Sequence, residues 1–489
     1  MKPARLTAAL VAAGLALPAL AAPDIVLLEK LAARLEKLEK RNAELEREVK
    51  ALQGENEKIA QGLDSDRLSQ YEPELTSRLK AAEKDVLDMK KSARTISGLE
   101  GLKATAALST VAQHASGLPR GTENGGSQLN YRADITVEMP LNHIGDIEHK
   151  LFAHFRMGQG LGLNAPASHL GYFASAPNAV AFRASGANPD DSVAILGQAW
   201  YQAAIPLPFG GFKPRSRETL ELTFGKMDIF GFFDQNTGAG DESRQFLNSV
   251  FVHNPLLDAG REVGVDANGF QPGFIASYVN KANRAEPWRL SLGLFGAGDR
   301  GANYQRSLSS PLVIAQAETQ WKPFAGLNGN YRIYAWNRSK AAELDGSTSK
   351  HTGVGISVDQ RVGDGITLFA RYGKLIKGQL SFDQALSAGA EVNGSYWGRA
   401  ADAVGIGGSW LHASADYRSL GGSGDLIGDG SGMFTFTPDG AEKLAEIYYR
   451  LRISPQFELS PDLQWIARPG ANPVAGAVKI VGLRASMNF

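Results

Sequence analysis

From about Leu102 to Phe489, apolar and polar residues alternate with a period of two in segment after segment, and clusters rich in Gly, Asn and Asp separate the segments. A period of two sends successive side chains to opposite faces of a strand, so most of the chain is committed to two-faced strands joined by turns. In Leu129–Met139 the set Leu129, Tyr131, Ala133, Ile135, Val137 and Met139 alternates with Asn130, Arg132, Asp134, Thr136 and Glu138. In His149–Met157 the second face carries Lys150, Phe152, His154 and Arg156. The same phasing groups Gln198 with Trp200 and Gln202, Arg289 with Ser291, Arg332 with Trp336 and Arg338, Thr367 with Arg371, and Glu446 with Tyr448, Arg450 and Arg452. The last strand sets Val481, Leu483, Ala485, Met487 and Phe489 against Gly482, Arg484, Ser486 and Asn488. One face is apolar and the other charged. A single strand of this kind also fits a soluble sandwich with its polar face in bulk water.

Two features decide against the sandwich. Met1, Lys2 and Arg5 make a basic start, Leu6–Leu20 is an apolar run of signal-peptide length, and Ala19-Leu20-Ala21 is a small-x-small cleavage site. Residues 1–21 are therefore expected to be an export signal, cut after Ala21. No later segment approaches the roughly 18 apolar residues of a spanning helix, so the exported chain either stays soluble or crosses a membrane as a closed barrel. Arginine also recurs on the polar face of many strands, as expected of a water-filled lumen. Tyr and Trp near strand ends, such as Tyr448-Tyr449, are expected in interfacial girdles. At about 24 residues per strand and connection, the region 102–489 holds about 16 strands, with about 18 as the alternative. The expected fold class is all-β, a transmembrane antiparallel β-barrel preceded by an α-helical coiled coil.

The coiled coil is read over 22–64. Leu28, Leu35, Asn42, Val49, Asn56 and Leu63 fall at a positions, and Leu31, Leu38, Leu45, Leu52 and Ile59 at d. Arg34 at g faces Glu39 at the following e of a parallel neighbour, and Arg41 likewise faces Glu46, which favours parallel strands in register. Buried Asn42 and Asn56 cost stability and fix register, so a defined oligomer is expected. Beyond Gly62 the heptads fail and Pro73 interrupts. Leu75, Leu79, Val86 and Met89 then mark a second amphipathic segment, making 65–101 a helical linker.

Lys+Arg 51 and Asp+Glu 51 leave no net charge to draw the chain to nucleic acid, and Cys 0 removes disulfides and thiolate chemistry. Gly296–Gly301 matches GxGxxG, but a strand follows rather than a helix, so a barrel turn is expected. There is no P-loop and no HExxH motif. His149 and His154 fall on opposite strand faces and do not chelate together. The acidic cluster around Asp241 lacks the spacing of a calcium loop, and no serine is paired with a base by spacing. No enzymatic activity, cofactor or metal is expected.

Thr219–Pro255 stands apart. It opens as a strand with Leu220, Leu222 and Phe224 on one face and Glu221, Thr223 and Gly225 on the other. It then becomes a polar segment with Asp234, Gln235, Asn236, Asp241, Glu242, Arg244, Gln245 and Asn248. So many hydrogen-bonding groups need partners, and the segment reads as a loop lining or narrowing a watery passage, the alternative being an ordinary surface loop.

FGKMDIFGFFDQN with QFLNSVFVHNP, GSYWGRAADAVGIGGSW at Gly394–Trp410, and AEIYYRLRISPQFELSPDLQWIARPG followed by GLRASMNF together resemble the carbohydrate-selective porins of the OprB type. The resemblance implies an outer-membrane barrel of about sixteen strands whose inward-folded loops narrow a passage for glucose and related sugars. The rod resembles that of sucrose porins, and some relatives with this layout pass ions. The expectation is a homotrimeric porin in the outer membrane, its rod in the periplasm, with a peptidoglycan contact left open.

A sugar is held by stacking its C–H face on an aromatic ring while its hydroxyls bond to polar side chains. Trp200 and Trp336 share polar faces with suitable partners, although either also suits a girdle. Asp234, Asn236, Arg244, Gln245 and Asn248 are the candidate loop residues. Arg132, Arg156 and Arg371 form a positive wall, or else pair with Asp134, Glu138 and Glu221 and stiffen the barrel, and Arg332 is a pore-lining candidate beside Trp336. The other readings are a general or ion-selective porin of the same fold, and a structural tether between outer membrane and cell wall.

Overall fold

The computed structural model describes residues 40–41, 43–54, 101–118, 126–163, 175–182, 191–208, 216–257, 270–298, 301–302, 311–324, 326–345, 347–421 and 436–489. The chain divides into two compact units, Met1–Ala93 and Arg94–Phe489. In the first, 40–41 and 43–54 are helical, with Arg41 and Glu44 paired at 3.4 Å and Leu45 and Leu52 half-buried. The export signal, the linker before residue 101, and rod positions Leu31, Leu35, Leu38, Asn42, Asn56 and Ile59 lie outside the described residues.

The second unit is a closed barrel of 16 antiparallel strands. Its first seven are β1 (Lys103–Ser116), β2 (Ser127–Pro140), β3 (Glu148–Gln159), β4 (Val193–Pro206), β5 (Glu218–Asp228), β6 (Phe270–Asn280) and β7 (Trp288–Phe295). A two-stranded ribbon, β8 (Ala297–Gly298) with β9 (Gly301–Ala302), stands where the glycine motif was read as a turn. The wall continues with β10 (Leu312–Phe324), β11 (Leu327–Ala342), β12 (Thr348–Gly363), β13 (Ile366–Lys377) and β14 (Phe382–Asn393). It finishes with β15 (Ala403–Ala413), β16 (Ala441–Arg452), β17 (Phe457–Ala467) and β18 (Val478–Asn488). β18 returns to β1, with Ala107 opposite Asn488 and Ser116 opposite Lys479.

The alternation places the side chains. Leu129, Leu292 and Val481 are 66%, 54% and 57% exposed on the outer face, whereas Arg132, Ser291 and Arg484 are buried on the inner one. The end that holds both Lys103 and Asn488 has short connections such as 325–326 and 364–365, and the other end carries 160–192, 229–269 and 414–440. Outer-membrane barrels place short turns in the periplasm and long loops outside.

Inside the wall, rings meet glycines. A Cβ on Gly353 would lie 2.2 Å from the Trp336 ring, and one on Gly405 would lie 2.1 Å from that of Tyr448. Strand glycines thus make room for inward aromatics, the reverse of a solvent-facing girdle. Tyr448, expected in a girdle, points inward instead and packs edge-on against Phe246 at 5.0 Å. Its neighbour Tyr449 points the other way and approaches Trp397, which is part-exposed near a short turn.

Candidate functional site

The connection after β5 turns into the barrel. Asp228 accepts the N–H of Phe230 at the start of a 3-10 turn, Ile229–Gly231, and Asn248 caps a short helix, Ser249–Val252, by accepting from Val250 N. Phe233, Phe246, Val250, Phe251, Leu256 and Leu257 are buried and face inward rings such as Tyr334, Phe369 and Tyr448. The loop thereby fills the lumen beside β11–β17. A second inward segment, 175–182, lies against it: Ala179 N donates to Leu247 O at 2.7 Å and Ser249 N to Ala176 O at 2.9 Å. Gln113 and Gln464 both donate to Pro177 O at 3.0 Å, tying this segment to the wall.

Most of the polar loop residues face the wall rather than the passage. Asp234, at φ 54, accepts Asn254 N at 2.6 Å, Tyr334 Oη at 2.8 Å and the Arg371 guanidinium at 3.2 Å. Arg371 also donates to Ala239 O at 2.8 Å, Asp234 O at 3.1 Å and Phe251 O. Asn236 donates to Val358 O at 3.0 Å, and Gln245 donates to Thr237 O at 2.8 Å while accepting Gly240 N. Asn248 donates to Gln464 at 3.1 Å, and Glu446 accepts the N–H groups of Leu247 and Asn248 at 2.6 and 3.0 Å. Arg244 chelates Glu458, with Nε at 2.9 Å. These contacts hold the loop; Asp234, Asn236, Gln245 and Asn248 are buried, whereas Arg244 keeps part of its side chain exposed. Arg484, noted in the sequence only as inward-facing, belongs to the same set and donates to Glu242 O at 2.7 Å and Gln245 O at 2.8 Å.

Along β2–β5 the inward face is charged, and Asp134, Glu138, Lys150 and Arg156 keep part of their side chains exposed. On β2 and β3, Asp134 accepts Arg132 Nε, Arg156 Nε and His154 Nε2, each at 2.7 Å. Arg132 reaches on to Glu242 at 2.8 Å and to Ala179 O at 3.2 Å, joining the wall to both inward segments. Burial pushes the Glu242 carboxyl up, but Arg132 and Arg156 together hold it below the usual carboxylate range. Farther along the wall, Arg289 links Glu221 at 3.2 Å to Glu318 at 3.4 Å, and Arg332 continues from Glu318 at 3.4 Å to Asp359 at 2.9 Å. Neighbouring strands therefore present alternating charges.

Trp200 lies part-exposed among these groups. Phe152 covers one ring face at 4.7 Å and 18°, Phe232 of the loop meets it edge-on at 5.6 Å, and Lys150 Nζ is 5.6 Å from its centroid. Lys150 pairs with Glu138 at 2.7 Å, and Gln202 donates to Thr223 at 3.0 Å. Trp336 is 3% exposed beneath the loop and offers no ring face to solute, because its indole fills the space over Gly353. The strand phasing places Gln198 beside Trp200 and Phe152 on the inner face, whereas nothing local in the sequence marks Phe232 or the segment 175–182. Among the described residues, no group of three or more His, Asp or Glu side chains is placed to hold a metal ion.

A family model described as carbohydrate-selective porin, OprB family, matches residues 125–489. Among solved structures, the high-pH structure of Pseudomonas putida OprB is similar with a TM-score of 0.62 at 18% identity, over 81% of this chain and 96% of that one. This likeness bears on the fold. The low-pH structure of Pseudomonas putida OprB gives a TM-score of 0.43 at 15% identity, over 82% and 96% of the two chains. A mutant of the Rh. blastica porin gives 0.43 at 10% identity, over 79% and 100%. No curated protein matches the sequence.

Arg371→Ala strands the buried Asp234 carboxylate and frees three loop carbonyls, so about 3–5 kcal/mol of stability is lost. A lower unfolding temperature and noisier single-channel current report it. The Glu242 pair stabilises the loop at pH above the ordinary carboxylate value of 4.5, and that contribution is lost as pH falls through the lowered folded value. Open-channel noise is accordingly steady down to about pH 4.5 and rises below it. Glu242→Gln, with no carboxylate to titrate, removes this rise.

Proposed function

The chain belongs to the carbohydrate-selective porin family, OprB, and we propose that its barrel carries small carbohydrates across the outer membrane by facilitated diffusion through the open half of the lumen. The protein is a transport channel, not an enzyme, and its medium is the outer-membrane bilayer. The observation that carries the solute reading is Trp200, a part-exposed ring in a wall of hydrogen-bonding and charged groups. An apolar sugar face stacks on the accessible part of the indole, while hydroxyls exchange water for Lys150, Glu138, Gln202 and the Asp134–Arg156 pair. The ionic groups already satisfy one another, so a hydroxyl gains only a shared bond. Weak, multiple contacts let the solute leave as readily as it enters, and no energy source is needed.

Block of single-channel current by glucose, sucrose or maltose tests this reading. Trp200→Ala weakens the block about ten-fold, a loss of about 1.4 kcal/mol, and Trp200→Phe recovers part of it. Open current that none of the three sugars blocks would instead make this an ion-selective or general porin.

The heptads support a parallel homo-oligomer, which we take to be a trimer, whose periplasmic rod carries the association through residues such as Leu45, Val49 and Leu52, and they leave room for a peptidoglycan contact. Deleting 28–63 lowers the mass of the detergent-solubilised assembly and leaves sugar block per pore unchanged. An unchanged mass would remove the rod from assembly, and envelope defects with normal flux would favour the tether.

A further inference from the structure

We infer that His154 is a positioning residue for the Trp200 platform and acts through the side-chain amide of Gln198. The inference rests on Trp200 being the stacking ring. Trp200 Nε1 and the backbone N–H of Asp228 both approach the same atom of Gln198, each at 3.3 Å. Both groups only donate, so that atom is the amide oxygen. The amide nitrogen then faces His154 Nδ1 at 3.5 Å. An amide NH2 only donates, so Nδ1 accepts and carries no proton. His154 Nε2 lies 2.7 Å from Asp134 Oδ1, which accepts, and the imidazole proton sits there. Three contacts thus select one neutral tautomer and, through it, one orientation of the amide that holds Trp200.

The backbone is shaped for this arrangement. His154 pairs with Gln198 and Phe155 with Leu196, so Gly197 is the extra residue of a β-bulge. A Cβ at Gly197 would lie 2.8 Å from the Phe270 ring and 3.2 Å from His154 Nδ1. The missing side chain lets the imidazole reach the amide.

Adding a proton at Nδ1 turns two donors against each other. Gln198 must then give up the contact or rotate its amide, and rotation points NH2 at Trp200 Nε1–H and Asp228 N–H. The charged groups around the imidazole are Asp134 and Arg132 on β2, Arg156 on β3, Lys226 and Asp228 on β5, and Glu242 on the loop, with Phe270 of β6 edge-on at 5.5 Å. The imidazolium keeps its bond to Asp134, so the disruption falls on the Gln198 side. Solute binding at Trp200 is therefore coupled to His154 protonation and weakens toward acid pH.

The test uses the full-length protein in planar bilayers, with glucose, sucrose and maltose block measured from about pH 8 to about pH 5. Block weakens about three- to ten-fold toward the acid end, the equivalent of one hydrogen bond. The fluorescence of Trp200, taken as the difference from Trp200→Phe, changes over the same range without sugar. His154→Gln keeps a donor for Asp134, cannot titrate, and makes both readouts independent of pH in that range. Gln198→Glu offers acceptors to both sides and removes the acid weakening. A flat wild-type fluorescence profile, or His154→Gln tracking the wild type, overturns the coupling. If Trp200→Ala leaves block unchanged while the fluorescence profile persists, the coupling stands and the assignment of Trp200 as the stacking ring fails.

Discussion

A strand in hydrocarbon has no water to satisfy its backbone, and the organisation of this chain follows from that restriction. The barrel closes to its last residue: Ala106 N donates to Phe489 O at 3.1 Å, and Phe489 N donates to Ala106 O at 2.8 Å. Closure sends every second side chain inward, and a ring of sixteen strands encloses more space than its own side chains fill. The chain uses that space unequally. Beside β11–β17 it is packed with Phe246, Phe251 and their neighbours, while the side of β2–β5 keeps charged groups in contact with water.

Arginine serves both sides for one chemical reason. Its planar fork of five donors can satisfy a carboxylate and several carbonyls at once, which a lysine cannot do. On the packed side Arg371 and Arg484 collect the carbonyls of a loop with few partners of its own. On the side of β2–β5 Arg132 and Arg156 share Asp134, and between the two sides Arg289 and Arg332 share Glu318. A buried ion left without a partner is costly, and the pairing of Arg132, Arg156, Arg332 and Arg371 with carboxylates offsets that cost in so charged an interior.

The strand faces were legible because a period of two has only two phases. Once Leu129 is known to face lipid, Asn130 and Arg132 have no alternative to the lumen. The loop was legible as an inward, polar segment for a related reason, since its hydrogen-bonding groups outnumber what a short surface turn can satisfy. The direction of each loop side chain was not legible. The polar pattern offers Asp234, Asn236 and Asn248 to solute, but they turn toward Tyr334, Val358 and Gln464 far along the chain, and Gln245 turns back on Thr237 and Gly240 of its own loop. Trp200 and Trp336 share the same strand pattern, yet Trp336 is buried against Gly353 and Tyr334 while Trp200 keeps part of its ring exposed beside Phe152 and Phe232, a difference that no local spacing encodes. Tyr448 failed for the same reason: the glycine opposite it, Gly405, is a strand away.

The residues that grip the inward loop come largely from strands made after it. Asp359 on β12 and Arg371 on β13 follow it in the chain, and Glu446, Gln464 and Arg484 lie on the last three strands. While those strands are missing, the loop lacks most of its fasteners, and the carbonyls that Arg484 will hold have no other guanidinium assigned to them. Completing the wall and fastening the loop thus draw on the same late strands, so the side chains that close the barrel also set the width of its bore.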